Sequence, residues 1–502
     1  MGEIRILQLG NENWNDRYTV PKGVSLEYTE IFKEPSEKLY DMVFLDRELK
    51  EEEIIPLHKS SKAYTVFVTE HVKAAGKAAW FLECKKAKRI AEDEIQTFLS
   101  EETRFFYSKP YGEKYEFKNL GIAQGFAGNV KWYGNYCVDL EGTFGEEMCQ
   151  IVFWRNNIPL FLGQVIDLWL EYRKSPDISI ALEVTLFAQG SLSEVLKRWR
   201  FEEEELDQVV QIENSYRSGS VFMSIHAKGK GKLRVIALHD RYSRGKHGYF
   251  MPGGERYVTS KREEVFCYFD PGDKKPPLNV YFSGYKTAQG FEGYYLMRSK
   301  GCPFLLVSEP RLEGGCCYMG SKEYEGMLLS ALRRYMKELG FTSDQVILSG
   351  ISGGTFGALY YGCDIRPHAL ILGKPVASMG NVAANEKHLR PGGLPASLDM
   401  LLYLCSGTNQ KAIDGLNRKF WDKFDTVDWG KSKFIISYMI EDDYDPNGYQ
   451  DLLSHLSSGG VQVYGKGIHG RHNDNTPAIV SWFSSQYDQV LYEDFGRRTE
   501  KK

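Results

Sequence analysis

Apolar positions in the first hundred residues fall into short runs of four to seven, EIRILQL (3–9), YDMVFLD (40–46) and AYTVFVT (63–69), each bounded by polar residues. Continuous apolar runs of this length predict strands buried on both faces, and the intervening segments 70–90 and 91–101 have helical character. Residues 1–105 therefore predict a small open α/β (Rossmann-like) domain. LQLGNENW in its first turn lacks the G-x-G-x-x-G spacing of a dinucleotide site.

From about residue 106 the period changes. GNVKWYGNYCVDL, DISIALEVTLFAQ, SVFMSIHAKG and KLRVIALHDRY alternate apolar with polar side chains between Gly, Asn and Ser turns. The pattern predicts an antiparallel β-sandwich over 106–268. HAKGKGKLRV (226–235) reads as a hairpin tip, since it lacks the spacing of a phosphate-binding loop. RFEEEELDQ (200–208) reads as a solvated loop or edge. HDRYSRGKHGYFMPGGERY (239–257) carries the Arg, His and aromatic residues that grip sugars or a neighbouring domain, and reads first as a structural turn. DPGDKKPPLNV (270–280) has linker composition.

Beyond it, strand-like and helix-like runs alternate: LNVYFSGY, CPFLLVSEP, the helical SKEYEGMLLSALRRYMKELG, QVILSGIS, HALILGKPV, KFIISYMIEDD, VQVYGKGIHG and a last helix near TPAIVSWFSSQY. This is the signature of a parallel sheet with crossover helices over 269–502. Within it, Gly350-Ile351-Ser352-Gly353-Gly354 fits G-x-S-x-G between a strand and a helix, the nucleophile elbow of α/β-hydrolases. A serine on so sharp a turn needs neighbours without bulk, and the following helix points its N-terminal dipole at developing negative charge.

An activated serine needs a base, and the base an orienting acid, in the order Ser, acid, His on loops after later strands. After KFIISYMI come Glu441, Asp442, Asp443 and Asp445; after VQVYGKGI come His469 and His472. His472, deeper in its loop, is the expected base, and Asp442 the expected acid with Glu441, Asp443 and Asp445 as alternatives. An oxyanion hole is expected from the backbone N–H of Gly353 and of Gly284 or Tyr285. Ser349 sits within its strand and is the poorer nucleophile.

Composition narrows the picture further. The chain has 502 residues, 42% hydrophobic and 14% aromatic, enough for two or three packed cores. A formal charge of -4 and the absence of a basic tail give no reason to expect nucleic acid. Nine cysteines without regular spacing and without CxxC argue against zinc and against a disulfide framework, so the thiols read as reduced. The N-terminus has no signal-peptide core, and IPLFLGQVIDLWL (158–170) is too short to span a bilayer. These features read as a cytoplasmic protein.

SGISGGTFGALYYG, MIEDDYDPNGY and GIHGRHNDNTPAIVSWF resemble a known family along its whole length: the second of the three accessory secretion (Asp) proteins of the Gram-positive accessory Sec system. The resemblance implies an O-acetyltransferase that acetylates N-acetylglucosamine on serine-rich-repeat adhesins. It also implies a separate role in their export, with the other accessory secretion proteins and the accessory SecA motor. The family's nucleophile falls on Ser352, its histidine on His472 and its acid, which can be glutamate, on Asp442. The place implied is cytoplasmic, with peripheral association at the inner face of the membrane. No bound cofactor or metal is expected. An acetyl donor is required, acetyl-CoA being one candidate, and no coenzyme A motif stands out. The other readings of the same residues are a carbohydrate esterase or deacetylase and a non-enzymatic secretion scaffold.

Overall fold

The computed structural model describes residues 3–33, 39–108, 111–388, 393–457 and 460–497, so the outermost residues of the first and last expected domains lie outside it. The described residues form a mixed α/β structure with three sheets.

The first sheet has five parallel strands in the order Val24–Thr29, Ile4–Leu9, Met42–Leu45, Val66–Thr69, Lys88–Ile90. Alternate side chains of its central strands enter separate cores: Leu7, Val43 and Val66 on one face, Ile6, Phe44 and Phe67 on the other. Burial on both faces is why these strands are continuously apolar in sequence.

The second sheet is antiparallel and winds about two long strands, Cys137–Trp154 and Gly219–Tyr242. Gly219–Tyr242 pairs with Ile178–Ala188 along its first half and with Val165–Lys174 along its second, while Cys137–Trp154 runs along its other edge. HAKGKGKLRV, expected at a hairpin tip, lies instead inside this 24-residue strand. Gly229 (φ 103°) and Gly231 (φ 147°) take backbone angles closed to other residues, and the register shifts beside Gly229. The strand thus bends without ending, as at a β-bulge.

The third sheet has eight strands in the order Gly254–Val258, Glu264–Asp270, Phe304–Ser308, Leu278–Phe282, Val346–Ile351, Ala369–Gly373, Lys433–Met439, Gln462–Ile468. The six from Phe304–Ser308 onward are mutually parallel; the first two are antiparallel. The boundary expected at 268/269 therefore falls inside this sheet. Every residue of Glu264–Asp270 is buried, and this strand pairs with Phe304–Ser308, so the chain joins the sheet before the linker-like segment. Helices cover both faces: Lys322–Leu339 and Gly353–Ile365 one, Thr476–Phe495 the other. After Leu278–Phe282 the chain first adds a strand on one side and then crosses to the other, so the crevice at the carboxyl ends of Leu278–Phe282 and Val346–Ile351 is a topological switch point.

The Arg- and His-rich segment 239–257 joins the three sheets. The Arg241 guanidinium donates to both carboxylate oxygens of Glu264 (2.9 and 2.6 Å) and to Gln289 Oε1 (2.6 Å). Arg244 donates to the carbonyls of Phe250, Phe105 and Tyr107, and His247 pairs with Glu102. Arg241, Arg256 and their hydrogen bonds hold the Glu264 carboxyl down at about 2, against the upward push of burial. Its ionised form therefore stabilises the fold above its unfolded value near 4.5, and this contribution is lost as pH falls from there towards 2. Arg241→Ala leaves Glu264 with Arg256 alone and should cost about 3 kcal/mol, the low end for breaking a buried pair. A lowered thermal midpoint at pH 7, with the difference narrowing towards pH 3, checks this. Unchanged melting would contradict it.

Candidate active site

Ser352 ends the strand Val346–Ile351 and precedes the helix Gly353–Ile365, with φ 56° and ψ -126°. Positive φ on a residue with a Cβ is strained, and the crowding around it explains why the chain accepts it. A Cβ on Gly354 would stand 2.1 Å from the Phe282 carbonyl oxygen, and one on Gly350 2.3 Å from the Gly354 backbone. Only glycine allows helix and strands to approach so closely, and the turn that results lifts the Ser352 hydroxyl above the sheet edge.

The hydroxyl lies 2.7 Å from His472 Nε2, and His472 Nδ1 lies 2.8 Å from Asp442 Oδ2. His472 is 1% exposed. The Tyr444 ring stacks on the imidazole, with centroids 4.2 Å apart and planes 7° from parallel. Asp442 Oδ1 accepts the N–H groups of Tyr444 (2.9 Å) and Asp445 (3.2 Å), which fixes the carboxylate and leaves Oδ2 to the histidine. With Nδ1–H donated to Asp442, Nε2 is left as the acceptor for the Ser352 hydroxyl.

The alternative acids and histidine have other partners. Asp445 is buried and accepts the N–H groups of Ala377 and Ser378, and burial pushes its carboxyl pKa up. Asp443 accepts the His472 backbone N–H (3.0 Å). Glu441 faces solvent, accepts the Gly470 N–H and pairs with His469, which is 85% exposed at its side chain. Ser349 is fully buried, donating to the Val280 carbonyl and accepting from Tyr487.

The expected backbone donors divide. Gly284 donates its N–H to Glu292 Oε2 at 2.7 Å, so it is unavailable as a donor to a reacting oxygen, contrary to the sequence expectation. The N–H groups of Tyr285 and Gly353 have no hydrogen-bond partner among the described residues. Tyr285 N lies 3.6 Å from where a Gly353 Cβ would stand, so the two backbone amides are neighbours at the elbow.

Sequence reasoning misses Tyr444, Glu292 and Lys374. Tyr444 is visible in DDYD, but its stacking depends on loop closure. Lys374 lies just past the strand Ala369–Gly373, its ammonium donating to Thr476 Oγ1 (2.8 Å). Burial lowers its pKa, with Asp442 and Asp474 opposing. Ser352, Gly353, Tyr285 and Lys374 open onto a cavity of about 1420 Å³. One group of three potential metal ligands, Glu171, His239 and Glu264, occurs among the described residues. The guanidinium of Arg241 occupies Glu264, and His239 is bonded to Glu171 and Gln289, so these residues do not fit a metal ion.

A family model described as the accessory Sec system GspB-transporter, that of the second Asp protein, matches residues 4–497. The second accessory Sec system Asp protein of Staphylococcus aureus (strain NCTC 8325 / PS 47) is 34% identical, covering 99% of this chain and 98% of its own. That of Streptococcus gordonii is 33% identical, covering 99% of both. A chain of the Glycosylation Associate Protein (Gap123) complex from Streptococcus agalactiae superposes with a TM-score of 0.86 at 35% identity, over 99% of this chain and 100% of its own. The chain belongs to the accessory Sec system GspB-transporter family.

Proposed function

We propose that this protein is a serine-dependent O-acetyltransferase on an α/β-hydrolase fold, acting on the N-acetylglucosamine of serine-rich-repeat adhesins. The observation that carries the reading is the hydrogen-bonded series Ser352, His472, Asp442 on a strained elbow at a sheet's switch point. His472 Nε2 takes the Ser352 proton as Oγ attacks the acetyl carbonyl. The oxyanion forms between the Gly353 and Tyr285 N–H groups, and the leaving group departs with the proton from Nε2. A sugar hydroxyl then gives its proton to Nε2, attacks acetyl-Ser352 and leaves as the O-acetyl ester, and the proton returns to Oγ. An acetyl thioester such as acetyl-CoA is the donor class in this scheme. With water as acceptor the same groups act as an esterase.

The same reading has the chain working in the cytoplasm, peripherally at the membrane, in export of the adhesin with the other accessory secretion proteins and the accessory SecA motor. Nucleic acid has no part in it. Mass spectrometry of the adhesin glycan tests the proposal. Cells carrying Ser352→Ala should secrete adhesin whose sugars lack O-acetyl groups, with export largely kept; O-acetylation unchanged in those cells would overturn the proposal. His469→Ala removes only an exposed pair and should change hydrolysis of p-nitrophenyl acetate by about twofold at most. A larger loss would shift the base to His469.

A further inference from the structure

The cavity that opens at Ser352 is larger than the ~300–1,000 Å³ usual for small-molecule sites, and much larger than an acetyl group needs. It continues to the junction of the second and third sheets, where Tyr111, Glu113, Asp240 and Tyr242 line it. Glu113 and Asp240 are directly opposed in the antiparallel pairing of Gly112–Lys114 with Gly219–Tyr242, so both carboxylates leave the same face. Like charges at such positions repel. Asp240 is 7% exposed, and its carboxylate has no hydrogen bond or ion pair to another of the described residues. Burial and the neighbouring Glu113 raise its pKa to about 7.

The nearest cation, on the same strand, offsets part of this repulsion but makes no hydrogen bond to Asp240 among the described residues. Arg241, next along the strand, is committed to Glu264 and Gln289. Lys62, Lys286 and Arg244 also line the cavity; Lys62 is paired with Asp41, and Arg244 donates Nε and Nη1 to backbone carbonyls while its Nη2 has no hydrogen-bond partner among the described residues. A nearly buried carboxylate that accepts no hydrogen bond from a neighbouring residue is costly unless a ligand brings a donor. Vicinal sugar hydroxyls are donors of the right kind, and Tyr111, Tyr242 and the 66% exposed Tyr295 offer rings for the apolar face of a sugar.

This arm is physically tied to the reacting end. Gln289 donates its backbone N–H to the Gly112 carbonyl (3.1 Å) and its side-chain amide to the Glu113 carbonyl (2.8 Å). The loop that carries Gln289 begins at Tyr285, whose N–H stands beside Gly353.

We infer that Asp240 and Glu113 form a subsite for the acceptor glycan, accepting hydroxyl hydrogen bonds from sugar units beyond the one being acetylated. The inference rests on the acetyltransferase reading for its choice of ligand, but its test needs no turnover. Full-length Ser352→Ala protein is titrated calorimetrically with tri-N-acetylchitotriose at pH 8, where Asp240 is mostly ionised. Adding Asp240→Asn should weaken binding about tenfold or more, the usual loss for hydrogen bonds to a charged acceptor, and Glu113→Gln by a smaller factor.

Ionised Asp240 is the costly form, faced by Glu113 across the strands, with Arg241 and Tyr242 along its own strand and Tyr115 nearby. Its pKa is raised on folding, so stability declines as pH rises from about 4 through about 7. Asp240→Asn should therefore melt higher than its parent at pH 8, by a margin that shrinks at pH 5. Trisaccharide affinity unchanged in both variants, no affinity in the Ser352→Ala parent, or affinity abolished by EDTA would each overturn the subsite. So would an Asp240→Asn protein that melts no higher at pH 8. The acyl-transfer reading fails separately: if the unsubstituted protein binds the trisaccharide but does not hydrolyse p-nitrophenyl acetate, that reading falls and the subsite stands.

Discussion

Ser352→Ala should lower the kcat for hydrolysis of p-nitrophenyl acetate by about 10⁴-fold or more, with KM little changed. The hydroxyl is the atom that bonds to the acetyl carbon, so its loss removes an interaction that exists only as the reaction proceeds. What remains is the pair of N–H groups at Gly353 and Tyr285, which can still polarise a carbonyl, and the His472–Asp442 pair, which has lost the nucleophile it is placed to activate. The fold should tolerate the change. Alanine keeps the Cβ that Ser352 already holds at φ 56°, so no new strain enters and only the bond to His472 is lost. A thermal midpoint near the parent's, with activity at the background rate, is the expected pair of results. Activity within tenfold of the parent would place the nucleophile elsewhere.

Asp442→Asn should be nearly as damaging, with a loss of about 10³–10⁴-fold in kcat. The reason lies in the fixed orientation of this side chain. Oδ1 accepts two backbone N–H groups, from Tyr444 and Asp445, and an asparagine keeps both only by placing its carbonyl oxygen there. Its NH₂ then faces His472 Nδ1, which must accept instead of donate, and the ring proton moves to Nε2. That tautomer cannot take a proton from Ser352. Tyr444 still stacks on the ring, so the imidazole keeps its place with the wrong nitrogen protonated. Steady-state kinetics with p-nitrophenyl acetate checks the loss, and a loss below about tenfold would mean that Glu441 or Asp443 serves as the orienting acid.

Much of this site is legible in the chain because its chemistry is local in sequence. The elbow needs small residues immediately around Ser352, and Gly350, Gly353 and Gly354 write that need into five positions. Asp442 and His472 follow the last two strands of the sheet, where the order of the chain alone puts a turn. Gly284 misleads a sequence reading because the fate of its N–H depends on Glu292, eight residues away across a loop with no periodic pattern. The Lys-Gly alternation of 226–235 misleads for a related reason: glycines that permit a turn equally permit a bend, and only the strands on either side decide between them. The early entry of Glu264–Asp270 into the third sheet is hidden because Glu264 looks like a surface residue until Arg241 and Arg256 are brought to it from other strands. Long-range charge pairing of this kind leaves no local trace.

The central claim is that Ser352 carries the acetyl group between donor and acceptor. Mass spectrometry of the protein, quenched during turnover of p-nitrophenyl acetate and digested, tests it most directly. One acetyl group is expected on the peptide holding Ser352, localised to that side chain and discharged when a sugar acceptor is added. A Ser352 that stays unmodified throughout turnover, or an acetyl group held on another residue, would contradict it.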